Sequence, residues 1–277
     1  MKQHTLKAPC SFAGRGLHGG RPATMQVLPA PEGSGVSFVR TDIGPDAMVP
    51  ALAGNVVRTR RGTTLSHRGV EVRTPEHLLS ALSGMGIDNA LVRLDAAEVP
   101  ILDGCATTFA EAFRSVGIVE QQAEREMIEL RSPFTYEDPE SGSRLVFEPA
   151  SEPSFEVTID FRSRVIGVQQ ASFSASGDYL SEVAPCRTFC FLREVLPLWA
   201  TGLLRGGSLG NSLVVSDSLG YVGKPDLHFD NEPARHKLLD LMGDLSLAGR
   251  PVRGRITAYK PGHHVNTEAL KQFLNSL

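Results

Sequence analysis

Only four cysteines and one tryptophan occur among the 277 residues, and neither charge is in marked excess. Each shortage excludes something. Cys10, Cys105, Cys186 and Cys190 are too few to staple a chain of this length, which points to a reducing compartment, and Cys186 with Cys190 alone makes no zinc knuckle. A net charge of -3 supplies no basic field of the kind that phosphate neutralisation requires, so nucleic acid is not the expected ligand. No segment reaches the roughly 18 unbroken apolar residues of a membrane helix, and the opening MKQHTLKAPC lacks the apolar core of a signal peptide. A cytoplasmic protein without a transmembrane segment is expected. The hydrophobic share, 41%, is enough for one large or two modest domains with real cores.

Short runs of β character, separated by Pro and Gly, include TMQVLP (24–29), GVSFV and VEVR (70–73). Thr74 then reads as an N-cap with Pro75 at the first helical position, and EHLLSALSGMG continues as a helix that its glycines stop. Strand ALVRLD and helix TTFAEAFRSVG follow. The polar run EQQAERE (120–126) reads as a linker, which divides the chain into domains at 1–121 and 127–277. The second part predicts strands in MIELRSPFTYE, SRLVFEPA and FEVTIDF, a Leu/Trp-rich stretch from Phe191 to Leu204, strand LVVS, a helix over ARHKLLDLMGDL, strand RITAY and a last helix after Asn266. Hairpin-like strands mixed with a few helices argue for an α+β fold. A repeat supports two similar halves: setting EHLLSALSG (76–84) beside RHKLLDLMG (235–243) aligns His77 with His236, Leu79 with Leu238, Leu82 with Leu241 and Gly84 with Gly243. Each half would offer one helix to a shared interface, where the two histidines meet.

The second of those helices carries an unusual row. At about 100° per residue, His236, Asp240 and Asp244 span only about 80° of its surface, nearly opposite Leu238, Leu241, Met242 and Leu245. A solvated face would account for such a row. So would a metal site, because an imidazole and a carboxylate at i and i+4 stand at a separation one cation bridges. His-x-x-x-acid occurs at His67/Glu71, His228/Glu232, His236/Asp240 and His264/Glu268, but only His236/Asp240 is predicted to lie wholly inside a helix. His77 qualifies as a third ligand. Two nitrogens, one oxygen and a vacant position match a catalytic zinc rather than a structural one. Glu76, beside His77, is either a general base for the attacking water or an acid favoured in the first turn of a helix.

At this point a resemblance enters. TPEHLLSALSGMGIDNALVRLDAAEVPILDG (74–104) resembles the signature of the UDP-3-O-acyl-N-acetylglucosamine deacetylases, the zinc amidases that carry out the committed step of lipid A biosynthesis. Further segments are similar in the same order: GRGLHGG (14–20), CRTFCF (186–191), GGSLGNSLVV (206–215), RHKLLDLMGDL (235–245) and TAYKPGHHVN (257–266). The resemblance covers nearly the whole chain. It implies two similar α+β halves forming a layered sandwich, with the helices between two outer sheets and the active site at their junction. It implies Zn2+ held by His77, His236 and Asp240, with Glu76 as general base. His263, which has Gly262 before it and Asn266 three residues later, matches the second, cationic acid group, and Asp244 matches the aspartate that orients it. Thr188 would help stabilise the oxyanion, and Lys237 would bind the nucleotide-sugar end.

The stretch 189–204, beginning at Phe189, corresponds to the family's acyl-chain insert, spanning about 189–213. Leu196, Leu198, Trp199, Leu203 and Leu204 would then wall a hydrocarbon passage instead of filling ordinary core. His18 falls where the family has a histidine, near the site or in a structural turn, and Asp103 reads equally as a residue that holds a turn. His4, His67 and His228 read as surface residues. Three positions depart from the pattern: Gly210 where aspartate is common, Cys186 in place of a small residue, and His264 as an extra imidazole beside His263.

The implied reaction is hydrolysis of the N-acetyl amide of a UDP-linked 3-O-acylated N-acetylglucosamine, by a monomer. Its pH profile should be bell-shaped, with the acidic limb from Glu76 and the basic limb from His263. Two alternatives stay open: a zinc amidase for a different acylated amino sugar, and a binding protein whose metal only staples the halves.

Overall fold

A computed structural model describes residues 1 to 277. Its first part runs β1 (Lys2–Leu6), β2 (Cys10–Arg15), β3 (Pro22–Pro29), β4 (Val36–Arg40), β5 (Met48–Pro50), β6 (Val56–Arg58), β7 (Thr64–His67), β8 (Val70–Arg73), α1 (Glu76–Gly84), β9 (Ala90–Leu94), α2 (Thr107–Val116) and β10 (Ile118–Glu124). The rest runs β11 (Ile128–Glu129), β12 (Phe134–Asp138), β13 (Ser143–Glu148), β14 (Ser154–Asp160), β15 (Val168–Ser174), α3 (Tyr179–Glu182), β16 (Phe189–Phe191), α4 (Leu192–Ala200), β17 (Leu213–Ser216), β18 (Gly220–Tyr221), α5 (Glu232–Leu245), β19 (Val252–Arg253), β20 (Arg255–Tyr259) and α6 (His263–Asn275).

Two five-stranded sheets have the same topology. One has the order β2-β3-β9-β4-β5 and the other β12-β13-β20-β14-β15. In each, the late central strand, β9 or β20, pairs antiparallel with one neighbour and parallel with the other. Each half also carries a three-stranded insert just before its central helix: β6-β7-β8 precedes α1, and β16-β17-β18 precedes α5. The duplication expected from two nine-residue helix segments therefore extends to whole halves.

The strands follow their alternation. In β3, Ala23, Met25 and Val27 are buried while Pro22, Thr24 and Gln26 are exposed, so one face meets the core and the other water. The helices α1 and α5 behave differently. Residues Glu76 to Leu82 of α1 are all buried, as is every residue of α5 except Arg235 and Lys237. Such all-round burial marks helices with protein on every side. One continuous core joins Phe38 and Val92 of the first sheet, Leu78 and Leu82 of α1, Leu238 and Leu241 of α5, and Phe147 and Ile256 of the second sheet. The helices thus lie between two outer sheets.

Three local readings change. Thr74 is not an N-cap: it adopts φ 54°, in the left-handed region, and its hydroxyl donates to Glu98 Oε1 (3.3 Å). The polar run read as a linker is strand through Glu124, pairing antiparallel with β1, and its alternating exposure is that of an edge strand with one wet face. The last helix begins at His263, not after Asn266, so the pair His264/Glu268 is wholly helical too. No helix is long and apolar enough to cross a membrane.

The crossing of α1 and α5 depends on one glycine. A Cβ at Gly243 would lie 2.1 Å from the carbonyl oxygen of Glu76 and 2.9 Å from its carbonyl carbon, a backbone clash that rotamer changes cannot relieve. Gly243→Ala should force the helices apart, at a cost of about 3 kcal/mol and roughly 6–10 °C in Tm. Metal affinity should fall with it. Unchanged thermal unfolding and metal content in this variant would show that the crossing tolerates a methyl group.

Candidate metal and catalytic site

The crossing brings the histidines together. His77 on α1 and His236 on α5 stand edge to face with ring centroids 5.1 Å apart. Asp240, one turn beyond His236, directs Oδ1 to within 3.4 Å of His236 Nε2 and 3.6 Å of His77 Nε2. Three donors around one tetrahedral ion at about 2.0–2.1 Å would be separated by about 3.3–3.5 Å. All three residues are buried, and Asp240 Oδ1 has no hydrogen-bond donor. A buried carboxylate oxygen without a donor is costly unless a cation takes that place. The donor set therefore fits a divalent metal.

The protonation states agree. Burial and the neighbouring His236 push the His77 imidazole down to about 3, and burial also lowers His236. Burial opposes the Asp240 carboxylate, but His236, Lys237 and His263 hold it well below the ordinary carboxylate range. Two neutral imidazoles and one carboxylate are what a metal requires of its ligands. His236 Nδ1 donates to the carbonyl of Cys186 at 3.0 Å, which leaves its Nε2 lone pair facing inward. The atypical residue at 186 contributes through its backbone.

Glu76 and His263 flank the donors. Glu76 Oε1 is 3.9 Å from His263 Nε2, which is also 3.9 Å from Asp240 Oδ2. Burial pushes the Glu76 carboxyl up to about 8, with Asp244 and Asp240 adding to the rise and His263 opposing it. Burial pulls His263 down, yet Asp244, Asp240 and Glu76 reverse that and raise it to about 9. Asp244 accepts three hydrogen bonds: Oδ2 accepts from His263 Nδ1 and from Asn266 Nδ2, both at 2.9 Å, and Oδ1 accepts from the Thr63 hydroxyl at 2.7 Å. The Thr63 N–H donates to Glu76 Oε2 at 3.1 Å. Thr63 thus ties the carboxyl on α1 to the aspartate on α5.

Two cavities adjoin here. One, of about 380 Å³, is lined by Glu76, His77, His236, Asp240, His263 and Lys260 among others. The second, of about 200 Å³, is mostly apolar, with Val195, Leu204, Leu209 and Val214 in its wall. Leu17, Thr188 and Phe189 line both. A third cavity, of about 340 Å³, lies beside the C-terminal parts of α1 and α5; its ionisable lining is Asp88, Arg125 and Arg250, and none of the titratable cluster reaches it.

The structure places the remaining residues singled out in the sequence as follows. Lys237 Nζ donates to Asp240 Oδ2 at 2.7 Å and lies 5.7 Å from the Phe189 ring centroid, with part of its side chain exposed to the larger cavity. His18 is buried behind the wall, its Nε2 donating to the carbonyl of Arg61 at 3.0 Å. Asp103 holds a turn, accepting from the Cys105 N–H and the Thr108 hydroxyl, each at 3.3 Å. His264 is exposed on the rim and Gly210 is in an exposed turn. His228 is exposed, as the sequence reading expects, and its Nδ1 donates to the carbonyl of Pro185 at 2.7 Å. In α4 only Leu198 is buried; Leu192, Leu196 and Trp199 face outward, so they neither wall the apolar cavity nor fill core.

Sequence reasoning missed Thr63 and Glu98, and it weighed Glu232 only as a partner for His228. Glu98 is buried and clasps the loop at 18–19, accepting from the N–H groups of His18 (2.6 Å) and Gly19 (2.7 Å) as well as from Thr74. Thr74, Arg61 and Lys260, all with positive φ, line the larger cavity, and such backbone strain persists only where surrounding bonds hold it. An acid set among the apolar residues of AEVPIL was the available signal for Glu98. Glu232 Oε1 accepts from Arg187 N (3.0 Å) and Nε (2.8 Å), and Oε2 accepts from Arg187 Nη2 (3.0 Å) and the His228 N–H (2.9 Å). That carboxylate pins the segment bearing the Cys186 carbonyl and Thr188 to the start of α5.

Burial pushes Glu232 up, but the Arg187 guanidinium and the two N–H groups outweigh it, and its pKa lies below the ordinary 4.5. A depressed carboxyl contributes stability that is present above the unfolded value and lost as pH falls through the folded one. Glu232→Gln should therefore cost on the order of 3 kcal/mol at neutral pH. In paired urea titrations, the gap from the parent chain should shrink below about pH 4.5. A gap constant down to pH 3 would mean the carboxylate is not paired as described.

Comparison with known proteins gives the family. The family model described as LpxC: UDP-3-O-acyl N-acetylglycosamine deacetylase matches residues 3–275. A UDP-3-O-acyl-N-acetylglucosamine deacetylase of Myxococcus xanthus is 44% identical over 274 residues, covering 99% of this chain and 86% of the relative. One of the same name from Brucella melitensis biotype 1 is 40% identical, covering 99% of this chain and 95% of the relative. A bifunctional LpxC/FabZ enzyme of Porphyromonas gingivalis is 40% identical across 97% of this chain, which spans only 63% of that protein's length. With the family's pattern running almost from end to end, the chain belongs to the UDP-3-O-acyl N-acetylglycosamine deacetylase family.

Proposed function

We propose that the chain hydrolyses the N-acetyl amide of a UDP-linked 3-O-acylated N-acetylglucosamine, giving acetate and the free amine, with zinc as the resident metal. The observation that carries this reading is the convergence of His77, His236 and Asp240, with Glu76 and His263 on their flanks, where a polar cavity meets an apolar one. His77, His236 and Asp240 would hold the zinc, which would supply Lewis acidity there.

The remaining chemistry belongs to side chains. Glu76 takes the proton of the attacking water as the tetrahedral carbon forms. Thr188, at the meeting of the cavities, donates its hydroxyl to the developing oxyanion. His263, kept cationic by Asp244, gives the Nε2 proton to the departing nitrogen, which cannot leave as an amide anion. Lys237 and Phe189 position the sugar. The hydrocarbon chain fits beside Val195, Leu204 and Val214.

The direct test is acetate release from the UDP-linked 3-O-acylated sugar together with metal analysis. Glu76→Gln should keep its metal and lose turnover by about 10²–10⁴-fold. Undiminished turnover would remove the proton-transfer role and favour a metal that only staples the halves. Charging the apolar wall with Val195→Glu should slow the acylated substrate far more than one with a short ester. Equal slowing would mean that the hydrocarbon chain does not bind there.

A further inference from the structure

The solvent-exposed side of α4 is itself apolar. Leu192, Leu196 and Trp199 fall within about 60° of one another around the helix, and they are 42%, 76% and 60% exposed. Leu198, about a third of a turn away, is the residue that anchors the helix inward. The tip of the β17–β18 hairpin adds Leu219, 71% exposed, and is tied to the first turn of α4 by the ion pair between Arg193 Nη1 and Asp217 Oδ2 at 2.8 Å. Single exposed leucines need no explanation, but four large apolar side chains, three of them on one short helix, form a patch.

The surrounding charge is cationic in a chain whose net charge is -3. Arg60 reaches the C-terminal end of α4, where Nη2 donates to the Thr201 hydroxyl at 3.4 Å, and Arg61 pairs with Glu194 at 2.8 Å. The Arg205 guanidinium lies beside Gly202. With Arg193 this makes four cationic side chains against the two carboxylates Glu194 and Asp217, and Arg60 and Arg205 have no acidic partner.

We propose that α4 is an interfacial helix that seats the protein on an anionic lipid surface, with Leu192, Leu196, Trp199 and Leu219 entering the acyl boundary and the flanking arginines meeting lipid phosphates. An outward apolar stripe with a cationic surround and an indole at its edge is the pattern of a helix that lies in the interface. The stripe is too short to span a bilayer, and no other helix does so. Charge complementarity is what selects this occupant: a second copy of the chain would bring the same positive charge against itself, whereas an anionic leaflet neutralises it. The proposal stands on the patch and its charge, independently of the reaction assigned above.

Trp199 is the sole tryptophan, so its emission reports on α4 alone. The metal-loaded full chain is mixed with vesicles of phosphatidylcholine containing phosphatidylglycerol, and with phosphatidylcholine alone. Emission should shift to the blue and the protein should co-sediment with the anionic vesicles, both effects weakening as salt is raised. Leu196→Glu should lower partitioning by about tenfold or more. Arg60→Glu with Arg205→Glu should abolish the preference for the anionic vesicles. Thermal unfolding of each variant, expected to match the parent because these side chains are exposed, separates lost binding from lost fold. Emission and sedimentation unmoved by anionic vesicles would overturn the proposal. So would a blue shift that appears without lipid and follows protein concentration, since the face would then pair with a second copy.

Discussion

Asp240 Oδ1, buried and without a donor, stands 3.4 Å from an imidazole nitrogen on its own helix and 3.6 Å from one on the facing helix. Most of the site follows from that arrangement. A carboxylate and two neutral imidazoles in a dry crossing are unfavourable for folding unless something cationic joins them. The two helices meet closely enough only because Gly243 lets the backbone at Glu76 approach. The two sheets enclose α1 and α5, so a fold of two similar halves brings one donor from the first half and two from the second together where its central helices cross.

Around the donors, Glu76 and His263, to which we assign proton transfer, are each held by a hydrogen-bonded neighbour. Thr63 spans Glu76 and Asp244, and Asn266 shares Asp244 with His263. The Cys186 carbonyl sets the tautomer of His236, and Glu232 holds that carbonyl's segment in place. Glu98 restrains the loop carrying Leu17 and His18 together with the strained Thr74 next to α1. Preorganisation of this kind keeps Glu76 and His263 beside the three donors without the reorganisation that water would need.

Much of this was legible in the sequence where chemistry and periodicity coincide. The row His236, Asp240, Asp244 is visible because a helix returns every fourth residue to one face, and the paired segments around His77 and His236 revealed the duplication because both helices are buried and so constrained along their length. Features carried by the backbone were not legible. The Cys186 carbonyl and the Thr63 N–H have no side-chain signature, and nothing in the composition of residues 118–124 distinguishes a wet edge strand from a linker. Thr74 looked like a cap because its hydroxyl suits one, but Glu98, distant in sequence, claims that hydroxyl. The apolar residues of α4 were read as lining because hydrophobicity gives no direction; the structure turns Leu196 and Trp199 outward.

X-ray absorption at the metal edge tests most directly whether one cation is held jointly by α1 and α5. The loaded protein should show nitrogen and oxygen scatterers at about 2.0–2.1 Å, with the multiple scattering of two imidazoles, falling to one imidazole in His77→Ala. A sulfur shell at about 2.3 Å, or an imidazole signal that His77→Ala leaves unchanged, would contradict it.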